Sequence, residues 1–326
     1  MEGVVALPER NLTYVPLLRV IRRGLTHQEI PRLAPLTRPT PEAVVAHLLD
    51  GAALLAALPL VDAIMLAESG APLAVVGALT RRFAGQFVIA SQVEDRGGLA
   101  GLFDGQWRAV NCGLQTGANG TERALRLLFV EHEAGSVTLS PELPNPSNSL
   151  PAAGSSGAPR WIGYPTDEAL VAALVDTRVD AFIGRSPAAA QSLLMGAGRV
   201  ATNLSAAAGG AASEAGAAVL VARRDTLTDS RPAALLGAIV RHSAAAAAEL
   251  GGPDGLTAAL EALPDWDALR LREALRLDVP SAAQSVYDAD GRLSPDALRR
   301  TLDLLGRSAG RRIAVDAGTF LVDLGG

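Results

Sequence analysis

Apolar residues along this chain come in short runs, and polar or glycine-rich turns separate these runs. Near the amino terminus, runs at 4–7, 52–58 and 73–79 alternate with stretches whose apolar positions follow helical spacing. Strands that alternate with helices of this size predict a parallel, doubly wound sheet. The alternation resumes between 107 and 183, and it predicts a second α/β block there.

The segment from 107 to 130 is the most informative stretch of the chain. Its pattern predicts a strand at 107–112, a glycine-rich turn at 113–120 and an amphipathic helix from Thr121. We expect Asn119 to cap this helix and Glu122 to complete a capping box. A strand that enters a helix through glycines directs several backbone N–H groups at one point. The segment therefore predicts a cradle for an anionic or polar group, and the alternative is an ordinary turn whose N–H groups meet water.

The last third of the chain has a helical pattern, and Ser294 with Pro295 marks one clear helix start. A helical tail of this kind cannot form a domain by itself, so we expect it to return and cover the first block. The chain would then cross between two lobes near 90 and near 217, which creates a cleft and a hinge. The predicted division is a first lobe of 1–90 plus 217–326 and a second lobe of 91–216.

Composition narrows the class of function. A length of 326 residues allows about two domains, and the 49% of hydrophobic residues is enough for real cores. The net charge of −5 argues against a partner that is nucleic acid or an anionic membrane surface. All 29 basic residues are arginine, which excludes Schiff-base chemistry on lysine, including that of pyridoxal phosphate.

Further features limit cofactors and location. Cys112 is the single cysteine, and the four histidines lie at no metal-ligand spacing, so we predict no disulfide, metal or other cofactor. No apolar run looks long enough to span a bilayer, since the run at 54–66 is short and contains Pro59 and Asp62. The chain begins without an export signal. We therefore expect a periplasmic location if a leader was removed, and a cytoplasmic one if Met1 is the natural start.

A family resemblance emerges from several segments taken together. The closest match is Gly70 to Thr80, and weaker ones lie at 11–24, 42–51, 168–187, 225–242 and 293–305. These segments resemble the NMT1/THI5-like family, which is a branch of the type II periplasmic-binding-protein fold. The branch holds binding proteins for sulfonates, taurine, nitrate and thiamine precursors. The similarity spans nearly the whole chain as a loose pattern.

The resemblance implies a two-lobed α/β fold in which each lobe is a doubly wound, mostly parallel sheet. It also implies capture of a small anionic organic ligand in the cleft, with an ABC-type permease as partner. Two positions depart from the family pattern. Gly51 is followed by Ala-Ala-Leu where the family usually has an aspartate, and Arg185-Ser186 stands where an acidic or aromatic residue often precedes proline. The same fold also houses enzymes, among them desulfinases and dehydratase-like lyases.

In this fold the turns that follow strands face the cleft, so polar residues in those turns are the candidate ligand contacts. An arginine there offers a bidentate fork for carboxylate, sulfonate or phosphate, whereas the alternative for each is solvated surface. A tyrosine can stack on a ligand or simply pack at a helix start. The candidates are Asn11, Tyr14, Thr40, Arg81, Thr116, Asn119, Gly120, Thr121, Arg185 and Ser186.

Cys112 supports the main alternative, an enzyme. At the end of a strand beside a helix start, its pKa would be lowered and its thiolate favoured, with His47 as a base approaching in space. The simpler interpretation is a small buried core residue. Three hypotheses thus stand: a solute-binding protein for ABC-type import, a cytosolic lyase or hydrolase on the same scaffold, and a relative that only binds a protein partner.

Overall fold

The apolar runs of the sequence form eleven strands within the described residues of the computed structural model. The structure describes residues 3–23, 33–38, 40–107, 110–115, 121–133, 139–140, 159–207, 210–268 and 271–324. The strands are β1 (Gly3–Leu7), β2 (Leu33–Thr37), β3 (Leu55–Pro59), β4 (Leu73–Ala78), β5 (Gln86–Ala90), β6 (Asn111–Gln115), β7 (Leu139–Ser140), β8 (Arg160–Tyr164), β9 (Ala181–Gly184), β10 (Gly198–Asn203) and β11 (Ala218–Arg223).

These strands build two separate sheets. The first has the order β2-β1-β3-β11-β4, and the second has the order β10-β5-β9-β6-β8-β7. Pairing is parallel among β1, β2 and β3 and among β6, β7, β8 and β9, whereas β11 and β5 run antiparallel to their neighbours. Each sheet with its helices is called a lobe below. The predicted architecture of two mostly parallel, doubly wound sheets is confirmed.

Helices fill the connections, and their starts follow the capping signals of the sequence. Thr40 and Ser294 each accept a hydrogen bond from a backbone N–H of the first turn, with proline next in the chain. The helices are α1 (Val15–Arg23), α2 (Pro41–Leu49), α3 (Leu60–Glu68), α4 (Gly98–Phe103), α5 (Thr121–Glu131), α6 (Asp167–Val175), α7 (Ala188–Leu194), α8 (Leu204–Ala207), α9 (Ala211–Ala215), α10 (Ser230–Leu250), α11 (Gly255–Ala262), α12 (Pro264–Ala268), α13 (Arg272–Ser285), α14 (Pro295–Ala309) and α15 (Ala317–Phe320).

The helical tail returns to the first lobe, as predicted. Helix α10 packs against α1 and β4, and Arg19 of α1 lies 2.6 Å from Glu249 of α10. The expectation that no segment is long and apolar enough to cross a membrane was wrong for α10. That helix has 21 residues and contains an 18-residue window with a mean hydropathy of 1.2, but a core helix of a globular protein can have the same properties. Leu236 and Ile239 of α10 are fully buried in the protein.

The first crossing between the lobes comes earlier than the sequence pattern predicted. We expected β5 to belong to the first block, but it pairs with β9 and β10 of the second sheet. The chain therefore passes between the sheets in the segment 79–85, and it returns between β10 and β11. The division of the chain into two domains, 1–90 plus 217–326 and 91–216, stays a prediction.

Two local predictions were also wrong. The sequence pattern predicts a strand at 107–112, but the strand β6 covers Asn111–Gln115. The prediction fails at Trp107 because this residue is buried by side-chain packing and not by strand pairing. Trp107 instead donates its indole N–H to the carbonyl oxygen of Gly98 and contacts Phe87 edge to face. The expected loop at 206–216 contains the end of α8 and all of α9, since its alanines favour helix.

One continuous core joins the two lobes. It contains Leu60 of the first lobe, Phe83 of the first crossing, Leu125 of the second lobe and Leu298 of the tail. Helices α5, α9 and α14 contact one another there. The lobes therefore meet through packed apolar surface as well as through the polar groups described below.

The stability of the first lobe should depend on Leu220, which is fully buried in β11 between β3 and β4. Leu220→Ala leaves a cavity there and is expected to lower the free energy of unfolding by about 2–5 kcal/mol. The matched control Leu194→Ala, at a leucine that is 52% exposed, should change it by less than about 0.5 kcal/mol. Urea unfolding measures both, and equal losses would contradict this packing.

Candidate functional site

Charged side chains from both lobes meet where parallel strands end. Glu9 follows β1, and Asp62 lies in the first turn of α3 after β3, both in the first lobe. Asp167 begins α6 after β8, and Arg185 follows β9, both in the second lobe. We call Glu9, Tyr14, Asp62, Asp167 and Arg185 the Arg185 cluster, because Arg185 interacts electrostatically with the other four.

Arg185 is the centre of the cluster and is only 2% exposed. Its Nη1 lies 3.6 Å from Oε1 of Glu9, across the gap between the lobes. Its guanidinium stacks over the ring of Phe83, with 4.9 Å between Cζ and the ring centroid. Phe83 belongs to the first crossing, so this one cation contacts the first lobe, the second lobe and the hinge.

Asn11 and Tyr14 reach the cluster through a short capped turn. The Asn11 side chain accepts a hydrogen bond from the backbone N–H of Thr13 at 3.0 Å, which starts the 3-10 turn Leu12–Tyr14. It also donates its Nδ2–H to Oε1 of Glu9 at 2.6 Å. Burial raises the pKa of the Tyr14 hydroxyl, which therefore stays protonated beside Arg185.

A second ion pair joins the lobes at Asp62. Arg123 of α5, in the second lobe, donates a hydrogen bond to Oδ1 of Asp62, and it also lies 3.9 Å from Glu42. The Asp62 side chain is 1% exposed, whereas that of Arg123 is 44% exposed. Burial raises the pKa of Asp62 to about 6, although the Arg123 guanidinium opposes the rise. Together with the pair of Arg185 and Glu9, this contact closes the cleft.

Asp167 is the third acidic member of the cluster. Thr166 caps α6 and fixes Asp167 as its first residue, at the end of the second sheet that faces the first lobe. Burial, followed by the nearby charges of Glu9 and Glu168, raises the pKa of Asp167 to about 7, while Arg185 lowers it. Near neutral pH this carboxyl group therefore titrates inside the closed cleft.

A cavity of about 30 Å³ lies beside the cluster, between the lobes. That volume has room for about two water molecules and not for an organic ligand, so a ligand requires the lobes to part. Ser186 and Asp278 of α13 both line this cavity. Burial raises the pKa of Asp278 to about 6, whereas a hydrogen bond with the Ser186 hydroxyl lowers it. Ser186 is thus buried at the cleft, next to Arg185.

The structure brings some predicted ligand residues together and separates others. Asn11, Tyr14, Arg185 and Ser186 share the cleft, and Thr121 is buried at the start of α5. Thr40 is exposed, and its hydroxyl is used as the cap of α2. The predicted cradle residues Thr116, Asn119 and Gly120 lie outside the described residues.

Arg81 lies apart from the Arg185 cluster. Its Nε donates to the carbonyl oxygen of Tyr287 at 3.1 Å. It lines a groove of about 980 Å³ at the edge strand β4, between α10 and α14. The edge position of β4 explains this, because β11 lies between β4 and β3 and so separates the turn after β4 from the turns after β1 and β3.

Cys112 is a buried core residue, as the simpler interpretation has it, and the alternative of a reactive thiol gains no support. Cys112 is the second residue of β6 and fully buried, so burial, and then the charge of Asp180, raises its pKa and opposes thiolate formation. His47 is on α2 in the first lobe, where its Nε2 accepts a hydrogen bond from Arg38 at 2.6 Å. Within the described residues, no group of three His, Cys, Asp or Glu side chains is placed to hold a metal ion.

Sequence reasoning missed the acidic half of the site and Arg123. Glu9 directly follows an apolar strand, and Asp62 and Asp167 open the helices that follow two other strands. An acidic residue at each of these positions was a usable signal. It was overlooked because acidic residues in a first helical turn are ordinarily explained by the helix dipole.

Comparison with solved structures finds the same architecture in binding proteins. The aliphatic sulphonate binding protein SsuA of Escherichia coli is 13% identical, with a TM-score of 0.62, over 100% of this chain and 94% of that chain. The alkanesulfonate-binding protein SsuA of Xanthomonas axonopodis pv. citri, bound to MOPS, is 14% identical, with a TM-score of 0.60, over 99% and 98%.

A ligand-binding component of an ABC-type import system from Staphylococcus aureus, solved with zinc, is 11% identical. Its TM-score is 0.65, and the match covers 99% of this chain and 97% of that chain. No protein-family model matches the sequence, and no curated protein shows significant sequence similarity to it. TM-scores of 0.60 to 0.65 over nearly the whole of each chain establish a shared fold, and identities of 11 to 14% establish nothing beyond the fold.

The raised pKa of Asp167 predicts a pH-dependent stability in the absence of ligand. Because the folded-state pKa is about 7 and the ordinary value of an aspartate is 3.8, this group stabilises the fold at low pH, and that contribution is lost as pH rises towards 7. Asp167→Asn has no titrating carboxyl group at this position, so its stability does not change with pH for this reason. The free energy of unfolding of this variant, relative to the natural protein, should rise by about 1 kcal/mol or more between pH 4 and 8.

The control for this experiment is Asp176→Asn, at a side chain that is 60% exposed at the other end of the same helix. Its difference from the natural protein should stay nearly constant over the same pH range. Urea unfolding at several pH values measures both variants. A difference for Asp167→Asn that falls or stays flat with rising pH would contradict the buried position of this carboxyl group.

Proposed function

Because the chain has the two-lobed fold of type II periplasmic binding proteins, we propose that it is a solute-binding protein for ABC-type import. It captures a small organic ligand in the cleft between its lobes. The observation that carries this proposal is the Arg185 cluster, in which the buried Arg185 of the second lobe and the buried Asp62 of the first lie among further charged groups of both lobes. Such groups at the carboxyl ends of parallel strands are typical of a ligand site in an open α/β fold.

Capture would proceed by opening and closing of the lobes. In the open state Glu9 and Arg185 separate, and the ligand enters and replaces part of their mutual contact. The Arg185 guanidinium binds an anionic group of the ligand through two N–H groups. The hydroxyl groups of Tyr14 and Ser186 lie beside Arg185 and provide further contacts. The ligand then shifts the population towards the closed state by its contacts with both lobes.

The ligand class proposed for this site is a sulfonate, a carboxylate or a thiamine-precursor-like compound. The two sulfonate-binding neighbours support an anionic group, since each is named for such a ligand. The proposed partner is an ABC-type permease, and the proposed location is extracytoplasmic, because the neighbours are described as periplasmic or as parts of import systems.

The enzyme hypothesis has no observation in its favour. Its candidate nucleophile, Cys112, is fully buried inside the second sheet, and its candidate base, His47, is in the other lobe. A covalent mechanism needs an exposed thiolate with a base in reach. Capture of a ligand needs only the arrangement of charges that the cleft already holds.

A thermal-shift screen with small sulfonates, carboxylates, phosphates and pyrimidines tests the proposed function. A specific ligand should raise the melting temperature progressively with its concentration, because it binds the folded state alone. Stabilisation of about 2.7 kcal/mol is expected at a hundred times the dissociation constant. Arg185→Gln should abolish the shift, whereas Arg292→Gln, at a side chain that is 59% exposed, should retain it.

Two outcomes would count against the proposal. The first is a shift that survives Arg185→Gln unchanged, since the ligand would then bind elsewhere. The second is the absence of any shift together with turnover of a screened compound that Cys112→Ala abolishes, which would favour an enzyme.

A further inference from the structure

The groove of about 980 Å³ lies outside the cleft, and the proposed function does not use it. Its walls come from the edge strand β4, from α10 and α14, and from the chain segments that precede α14 and follow α15. Pockets for small organic ligands measure about 300–1,000 Å³, so this groove has room for one without any movement of the lobes. The cavity of about 30 Å³ in the closed cleft does not.

Arg81 and Arg82 bring two adjacent guanidinium groups to this groove from the first crossing. Nε of Arg81 donates to the carbonyl oxygen of Tyr287 at 3.1 Å, and Nη1 of Arg82 donates to that of Ser205 at 2.6 Å. Each side chain is thus fixed through one nitrogen, and its other N–H groups make no further hydrogen bond within the described residues. A guanidinium group that is fixed and still has spare donors is well prepared to bind an anion.

Two other arginines of the groove are already neutralised by acids. Arg300 donates to Glu214 through two nitrogens, at 2.6 and 3.0 Å, and Arg292 lies 3.6 Å from Asp323. The two arginines of the first crossing, in contrast, form no ion pair in the part of the chain that the structure describes. In a chain with 34 acidic and 29 basic residues, two neighbouring arginines of this kind are a local excess of positive charge.

Asp288 lies at the same groove, but its carboxylate is used by the backbone. Its Oδ1 accepts a hydrogen bond from the N–H of Asp290 at 2.9 Å, in the turn that precedes α14. Burial raises the pKa of Asp288, while this hydrogen bond and the charge of Arg81 lower it. Asp288 therefore offsets part of the positive charge of Arg81 and leaves the N–H groups of that arginine available.

Backbone hydrogen bonds fix the two arginines at one place in the groove. The N–H of Arg81 donates to the carbonyl oxygen of Val286 at 2.7 Å, and the N–H of Phe83 donates to that of Ser213 at 2.8 Å. Arg82 stands between these two anchors, so the first crossing is held on both sides of it. Both side chains line the same groove, and one ligand with two anionic groups can therefore contact both.

We propose that this groove is a second ligand site, separate from the cleft, and that it binds a small anion with two or more negative charges through Arg81 and Arg82. Phosphate chains and polycarboxylates share this chemistry, because both present several pairs of oxygens that match the guanidinium fork. An anion with one charged group engages one arginine, whereas a multivalent anion engages both. The site is independent of the ligand in the cleft, since the groove is open while the lobes are closed.

Chemical protection of the natural protein tests this site directly. Phenylglyoxal reacts with accessible arginines, the chain has no lysine that could compete, and peptide mass spectrometry reports modification at each position. Pyrophosphate or citrate, compared at constant ionic strength, should slow modification of Arg81 and Arg82 about tenfold at ten times its dissociation constant. Acetate should not protect them. Arg276, whose side chain is 71% exposed, should react equally fast throughout.

Variants measure the contribution of the two arginines by titration calorimetry with the protecting anion. The double variant Arg81→Gln, Arg82→Gln should bind about tenfold or more weakly, because charged hydrogen bonds are lost. The control Arg276→Gln should bind as the natural protein does. Arg185→Gln should also retain this binding, which separates the groove from the cleft.

Several outcomes would overturn the second site. They are the absence of protection by both pyrophosphate and citrate, equal protection by acetate, and equal affinity of the double variant and Arg276→Gln. Binding that Arg185→Gln abolishes and the double variant retains would place the anion in the cleft. Protection by one of the two anions alone would support the site and identify its ligand as a phosphate or a polycarboxylate. The protection experiment uses the natural protein, so it stays decisive if a variant folds poorly.

Discussion

Two arginines of the second lobe, each facing carboxylates of the first, set the relation between the lobes. Arg185 lies 3.6 Å from Glu9, and Arg123 donates to Asp62. Both acids follow strands of the first sheet, so the contacts form only when the two sheets present their carboxyl ends to each other. Arg185 and Asp62 are buried, and a buried charge is strongly destabilised without its partner, which couples closure of the lobes to the electrostatics of the cleft.

This coupling gives the cleft its chemistry. The apolar core around Phe83 and Leu125 also joins the lobes, and the ion pairs act together with it to hold the cleft closed. The charged groups also make the closed state sensitive to pH, because burial raises the pKa of Asp62 to about 6 and the pKa of Asp167 to about 7. An organic ligand needs the lobes to part, since the cavity in the closed cleft measures about 30 Å³.

Much of the fold follows from local patterns in the sequence, whereas half of the site does not. Apolar runs, the caps at Thr40 and Ser294 and the helical tail predict most elements, because each depends on neighbouring residues. The sheet to which β5 belongs depends on pairing with β9, which is remote in sequence. In the same way, Arg185 is recognisable as a cation after a strand, but its pairing with Glu9 depends on how the lobes dock. The raised pKa of Cys112 likewise reflects burial by distant segments.

The distance between the lobes provides the most direct measurement of this account. Spin labels at Met65→Cys on α3 and Val175→Cys on α6, both partly exposed positions, report it by pulsed electron resonance while Cys112 stays buried. Arg123→Gln removes one ion pair between the lobes and should move the distance distribution towards a more open state. Arg126→Gln is matched in exposure but pairs with Glu122 of its own helix, and it should leave the distribution unchanged. Identical distributions for the two variants would contradict the claim that these ion pairs hold the cleft closed.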